Sequence, residues 1–88
     1  MNHTKQYKAA VQFGQTLVRN HGHKGYMLRE FSQRNPVGKE RISVECHVQI
    51  FEFSLLLDEM RSLVKVCDKH GVDTIFITEE SGLKIAFL

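Results

Sequence analysis

Arg41-Ile42-Ser43-Val44-Glu45-Cys46-His47-Val48-Gln49-Ile50-Phe51 is the stretch that decides the fold. Ile42, Val44, Cys46, Val48 and Ile50 alternate strictly with Arg41, Ser43, Glu45, His47 and Gln49. A period of two puts one set on each face of a β-strand. One buried and one solvated face is the signature of an antiparallel sheet covered on one side. Phe51 and Phe53 break the polar set at its end, so that corner is expected to be covered.

A strand this long needs a partner. Upstream, Asn35-Pro36-Val37-Gly38 has the residue placement of a type I turn. Residues 25–34 then fold back as the other arm of a hairpin, with Phe31 opposite Ile42, Met27 opposite Cys46 and Arg29 opposite Val44. The spacing of Met27, Leu28 and Phe31 also suits a short helix; the long strand's need for a partner favours the hairpin.

Helical periodicity brackets this hairpin. Over residues 4–20 an apolar stripe runs through Tyr7, Ala10, Val11, Gly14, Leu17 and Val18, with Lys5, Lys8, Gln12, Gln15 and Arg19 mostly opposite. Thr4 or Asn2 caps its start, and Asn20 or Gly22 ends it. Phe13 falls off the centre of the stripe and is expected to face a partner. A second helix runs from a Ser54 cap to about His70, with stripe Leu56, Met60, Leu63, Val64 and Cys67, and Gly71 just past its end. Asp58 and Glu59 near its start and Lys65, Lys69 and His70 near its end complement the helix dipole. Two more strands, 72–78 and 83–88, flank the turn Glu79-Glu80-Ser81-Gly82. Ile75 and Ile77 make one apolar face, and Leu83, Ile85 and Phe87 another.

The order is therefore α-β-β-α-β-β. The expected fold is a single small α+β domain over residues 1–88, a mostly antiparallel four-stranded sheet with both helices on one face. A chain of 88 residues has room for one core and buries only about 60–65% of its unfolded surface. No apolar run is long enough to cross a bilayer, and residues 1–5 do not begin a signal core. Cys46 and Cys67 both fall at apolar positions and read as buried thiols, which points to the cytoplasm.

Catalytic and metal chemistry find little footing. Cys46 and His47 are neighbours on a strand, so their side chains point to opposite faces and cannot act as a nucleophile–base pair. Asp58-Glu59 and Glu79-Glu80 are explained by a helix start and a turn tip. His21 and His23 lie close, but the two cysteines are 21 positions apart and lack zinc-ligand spacing. Neither nucleotide-binding glycine motif is present. The chain reads as non-enzymatic, with no cofactor and no metal. Gly22-His23-Lys24-Gly25 resembles the GXXG backbone clamp of KH nucleic-acid domains over four residues only. His21 stands where that motif has an apolar residue, and the element order departs from KH topology.

Charge is the stronger functional signal. Residues 1–41 carry eight Lys and Arg against two acids, a net of +6; residues 42–88 carry four against eight, a net of −4. Lys5, Lys8, Arg19, His23, Lys24, Arg34, Lys39 and Arg41 are the expected basic face. Its partner is either a protein with an acidic or nucleic-acid-binding surface, or nucleic acid itself through counterion release, with Tyr7, Phe13 and Tyr26 available to stack on bases. The expected function is a binding or regulatory module that occludes or bridges a partner, of the kind a phage or plasmid uses to inhibit a nucleic-acid-handling complex. Direct DNA or RNA binding is the alternative. A homodimer is also expected, through strand 83–88 as an unprotected edge, with Phe13, Phe51, Phe53 and Phe87 supplying apolar contact.

Overall fold

The computed structural model describes residues 4–34 and 42–88, for residues 32–34 and 42–44 the backbone alone. Its elements follow the expected order: α1 (Lys5–His21), β1 (Met27–Arg34), β2 (Ile42–Ile50), α2 (Leu57–His70), β3 (Thr74–Glu79) and β4 (Gly82–Phe87). The four strands form one sheet in the order β1-β2-β4-β3, and every neighbouring pair is antiparallel. The α+β class is as expected. Strand β4, expected at an edge, lies inside the sheet between β2 and β3. Among the described residues the edges are β1 and β3.

Each helix is stopped by a local device. The Thr4 hydroxyl accepts the Tyr7 N–H at 3.2 Å and caps α1. Gly22 (φ 73°) and Gly71 (φ 64°) take the left-handed conformation at the two C-terminal ends. Ser54 is not the cap of α2. Leu56 holds that position, and the Glu59 carboxylate accepts the Leu56 N–H at 2.7 Å.

Both helical stripes are rotated from the expected ones. In α1 the buried residues are Ala9, Ala10, Phe13, Gly14 and Leu17, whereas Val18 is exposed. In α2 they are Glu59, Leu63 and Val66, whereas Leu56, Met60 and Val64 are exposed. At 100° per residue each shift is about 70°. The cause is the layer arrangement. Helix α1 lies on the sheet, chiefly over β2, and α2 packs chiefly on α1. The helices run antiparallel, joined by His21–Ser62 (3.0 Å), Gln12–His70 (2.6 Å) and Lys5 Nζ donating to the Gly71 carbonyl (3.2 Å). A helix serving two neighbours buries the arc between them and not the centre of its apolar residues.

Phe13 therefore belongs to the core. Both Phe13 and Phe87, each expected to serve self-association, are fully buried and meet at a centroid distance of 6.1 Å. Burying a side chain of this size is worth about 1.5–3 kcal/mol, which explains why α1 turns to bring Phe13 inward. Cys46, Val48, Ile50, Leu83 and Ile85 complete the floor beneath it. Burial, and then the charge of Glu30, pushes the Cys46 thiol up to about 11, as suits an inert core cysteine.

The β1–β2 register also differs. Phe31 pairs with Glu45, Met27 with Gln49 and Arg29 with His47. The expected turn residues, Asn35 to Gly38, lie outside the described residues. The last described pair is Arg34 with Ile42, and the pairing is slid by three positions from the expected one. An odd slide exchanges the faces. Leu28, opposite the inward Val48, turns to the core, and Met27 and Phe31 turn away from the helices.

Gly82 opens β4 at φ 141°, and a Cβ there would collide with the Ile50 carbonyl oxygen. The obstacle is backbone of a buried strand and cannot swing aside. Gly82→Ala is expected to destabilise the protein by more than about 2 kcal/mol. A chemical-denaturation midpoint unchanged from wild type contradicts this seating of β4.

Candidate interaction surfaces

The expected basic face divides when the chain folds. Lys5, Lys8, Arg19 and Lys24 are exposed. Helical geometry brings Lys5, Lys8, Gln12, Gln15 and Arg19 onto one stripe of α1, and the helix contains no acid. Lys69, near the end of α2, is also exposed. His70, between the helices, is held below its ordinary value by burial and then by the charges of Lys69 and Lys8. Arg34 closes β1, with no side chain described; Lys39 and Arg41 lie outside the described residues.

His23 is not part of that face. It is buried, with Nε2 bonded to the Glu59 carboxylate and Nδ1 3.2 Å from an oxygen of Glu52. Only the Glu59 contact is a hydrogen bond; Nδ1, although near Glu52, has no hydrogen-bond partner among the described residues. The left-handed Gly22 turns the chain back so that this ring reaches the first turn of α2. The pair thus ties the loop after α1 to the start of α2. His21 goes elsewhere, to Ser62, so the two histidines do not converge.

The aromatic residues separate as well. Phe51 and Phe53 are 58% and 63% exposed, so nothing in the described chain covers the corner where they sit. Tyr7 and Tyr26 are half-buried against the core and Phe13 is inside it, so the three form no exposed stacking platform among the described residues. On the outer sheet face Phe31 lies against the His47 ring at 4.7 Å, with the Arg29 guanidinium 5.4 Å from its centroid. His47 in turn meets Glu45 at 3.0 Å.

One surface was not anticipated. Helix α2 and the edge strand β3 stand apart, leaving a cleft of ≈ 410 Å³ lined by Met60, Val64, Cys67 and Phe76 among others. A second hollow of ≈ 270 Å³ adjoins it at Met60 and Phe76 and extends to Phe53. Phe76 is half-exposed although it points to the helix side of the sheet, opposite Ile85. The signal was present in the sequence. The apolar stripe of residues 56–67 is wider than one contact needs, and strand 74–78 is apolar on both faces.

The buried pair carries a pH dependence. Burial pushes the Glu59 carboxyl up, but the Leu56 N–H and His23 together pull it net below its ordinary value. A depressed carboxylate contributes stability above its unfolded value of about 4.3, and that stability is lost as pH falls through the lower folded value. Glu59→Ala is expected to cost about 3 kcal/mol at neutral pH by stranding His23. Its stability loss relative to wild type should shrink below pH 4, as measured by denaturation at several pH values. A pH-independent difference contradicts the ion-pair account.

No protein family, curated protein or solved structure matches this chain.

Proposed function

We propose that this chain is a non-catalytic binding module that occludes an acidic protein surface with the cationic ridge of α1. The observation that carries the reading is the placement of Lys5, Lys8 and Arg19 on one exposed stripe of an acid-free helix. Lys5 and Arg19 are about 21 Å apart along the axis, long enough to engage several carboxylates at once. A like-charged ridge with no internal acid has no intramolecular neutraliser on its own element, so a partner's carboxylates gain its full field.

Two points support a protein over nucleic acid, and a third chooses among protein surfaces. Phe13 is buried and Tyr7 and Tyr26 are half-buried against the core, so among the described residues α1 presents no exposed aromatic ring to bases. Of the exposed phenylalanines, Phe53 and Phe76 stand at the cleft, away from the ridge. A surface that itself reads DNA or RNA is cationic and repels this ridge, which narrows the partner to one with an acidic face. A small occluding regulator of this kind is one a phage or plasmid could encode. No helix is long and apolar enough to cross a membrane, and two free thiols, Cys46 and Cys67, support a reducing compartment such as the cytoplasm.

The test uses polyglutamate and a fluorescent oligonucleotide as probes, each titrated across salt concentration. Replacing Lys5, Lys8 and Arg19 by Glu should weaken polyglutamate binding roughly tenfold or more. Replacing Arg61 and Lys65 by Glu should leave it nearly unchanged. Equal losses from the two sets overturn the ridge. Tight, steeply salt-dependent oligonucleotide binding without polyglutamate binding establishes direct nucleic-acid recognition in its place.

A further inference from the structure

We propose that this chain forms a two-fold homodimer by pairing β3 with β3 of a second copy, centred on Phe76. The strand reads Thr74-Ile75-Phe76-Ile77-Thr78, the same in both directions about Phe76. It is an edge of the sheet. No charge, proline or bulge interrupts residues 74–78, whereas the other edge, β1, carries Arg29 and Glu30. Edges left unguarded are templates for pairing.

The backbone selects the register. On an antiparallel ladder, alternate residues turn their N–H and C=O to opposite neighbours. Leu88 N–H donates to the Asp73 carbonyl at 2.9 Å, and Leu83 N–H turns the other way, to the Glu52 carbonyl at 2.8 Å. Residues 75, 77 and 79 therefore bond β4, and Thr74, Phe76 and Thr78 present their donors and acceptors at the open edge. A second copy centred on Phe76 sets Phe76 opposite its counterpart and Thr74 opposite Thr78 of that copy. All three outward residues then lie in hydrogen-bonded pairs, two bonds to each pair. A centre moved one residue either way keeps the parity but loses one of these pairs.

The side chains agree with the backbone. Each cross-strand pair is like with like: Thr–Thr and Phe–Phe on the helix side, Ile–Ile on the outer side, all favourable combinations. At the ends Asp73 comes opposite Glu79 of the second copy, and Glu79 is already held by Lys84 at 2.6 Å, which puts a cation at that junction. Phe76 is the floor of the cleft beside α2, so the same axis that joins the strands brings the two clefts together. Phe53, Met60, Val64, Ile75 and Phe76 are 39–63% exposed. With the strand backbone they offer several hundred Å² per copy, the scale of the ~800 Å² each partner gives a standard interface. A self-complementary strand and a cleft on one axis fit an isologous dimer better than an unrelated strand. The dimer presents two α1 ridges, one from each copy, and does not depend on what those ridges bind.

Sedimentation equilibrium of the full chain over about a hundredfold concentration range should show a monomer–dimer equilibrium. Phe76→Lys should weaken it about thirtyfold or more. In a Cys67→Ser background, Phe76→Cys should oxidise to a covalent dimer, since counterparts in a hydrogen-bonded pair sit within disulfide reach. Ile75→Cys should not, because its counterpart is two positions away. The cysteine pair decides the question even if Phe76→Lys fails to fold. A monomer at every concentration overturns the proposal and leaves the edge to a strand of another protein. A dimer indifferent to Phe76→Lys, or equal crosslinking at both cysteines, also overturns it.

Discussion

The seating of β4 between β2 and β3 is the constraint on which the rest of the structure depends. It requires Gly82, whose missing Cβ lets the backbone pass the Ile50 carbonyl. It delivers Leu83, Ile85 and Phe87 to the centre of the core. Phe87 then draws Phe13 inward, and α1 turns to follow. With β4 inside, β3 is left outside. The open edge and the buried aromatic contact thus have one cause.

The helices share the apolar surface unevenly. Helix α1 lies on the sheet, and α2 leans on α1, so among the described residues no helix packs closely on β3. The apolar residues that α2 and β3 would have spent on one another remain on either side of a cleft. Exposed apolar surface on this scale opposes a purely solvated role for that face. The polar interactions work against such opening elsewhere. His23 with Glu59 pins one end of the helix pair, and Gln12 with His70 and Lys5 with Gly71 hold the other.

Charge and apolar surface are separated across the molecule. The acid-free stripe of α1 faces solvent, whereas the exposed Phe53 and Phe76 line the cleft and hollow between α2 and β3. Two surfaces so unlike in chemistry can serve two contacts, one electrostatic and one built on strand pairing and apolar burial. Nothing in the first competes with the second, because their residues do not overlap.

Local physics was legible in the residues. Strict alternation over 42–50 specified a half-buried strand, Thr4, Gly22 and Gly71 marked helix ends, and periodicity gave the element order except at 25–34, where the long strand's need for a partner decided between helix and strand. These depend on neighbours within a few positions. Strand order, the β1–β2 register, the rotation of both helices and the fate of His23 depend on residues far apart in the chain. His23 looked like a surface cation because Glu59, its partner, is 36 positions away. Phe13 looked off-stripe because its contact, Phe87, belongs to the last strand. Periodicity says that a residue has an apolar or a polar side, but only the packed neighbours decide which arc of a helix is buried, which face a strand turns inward, and which edge remains open.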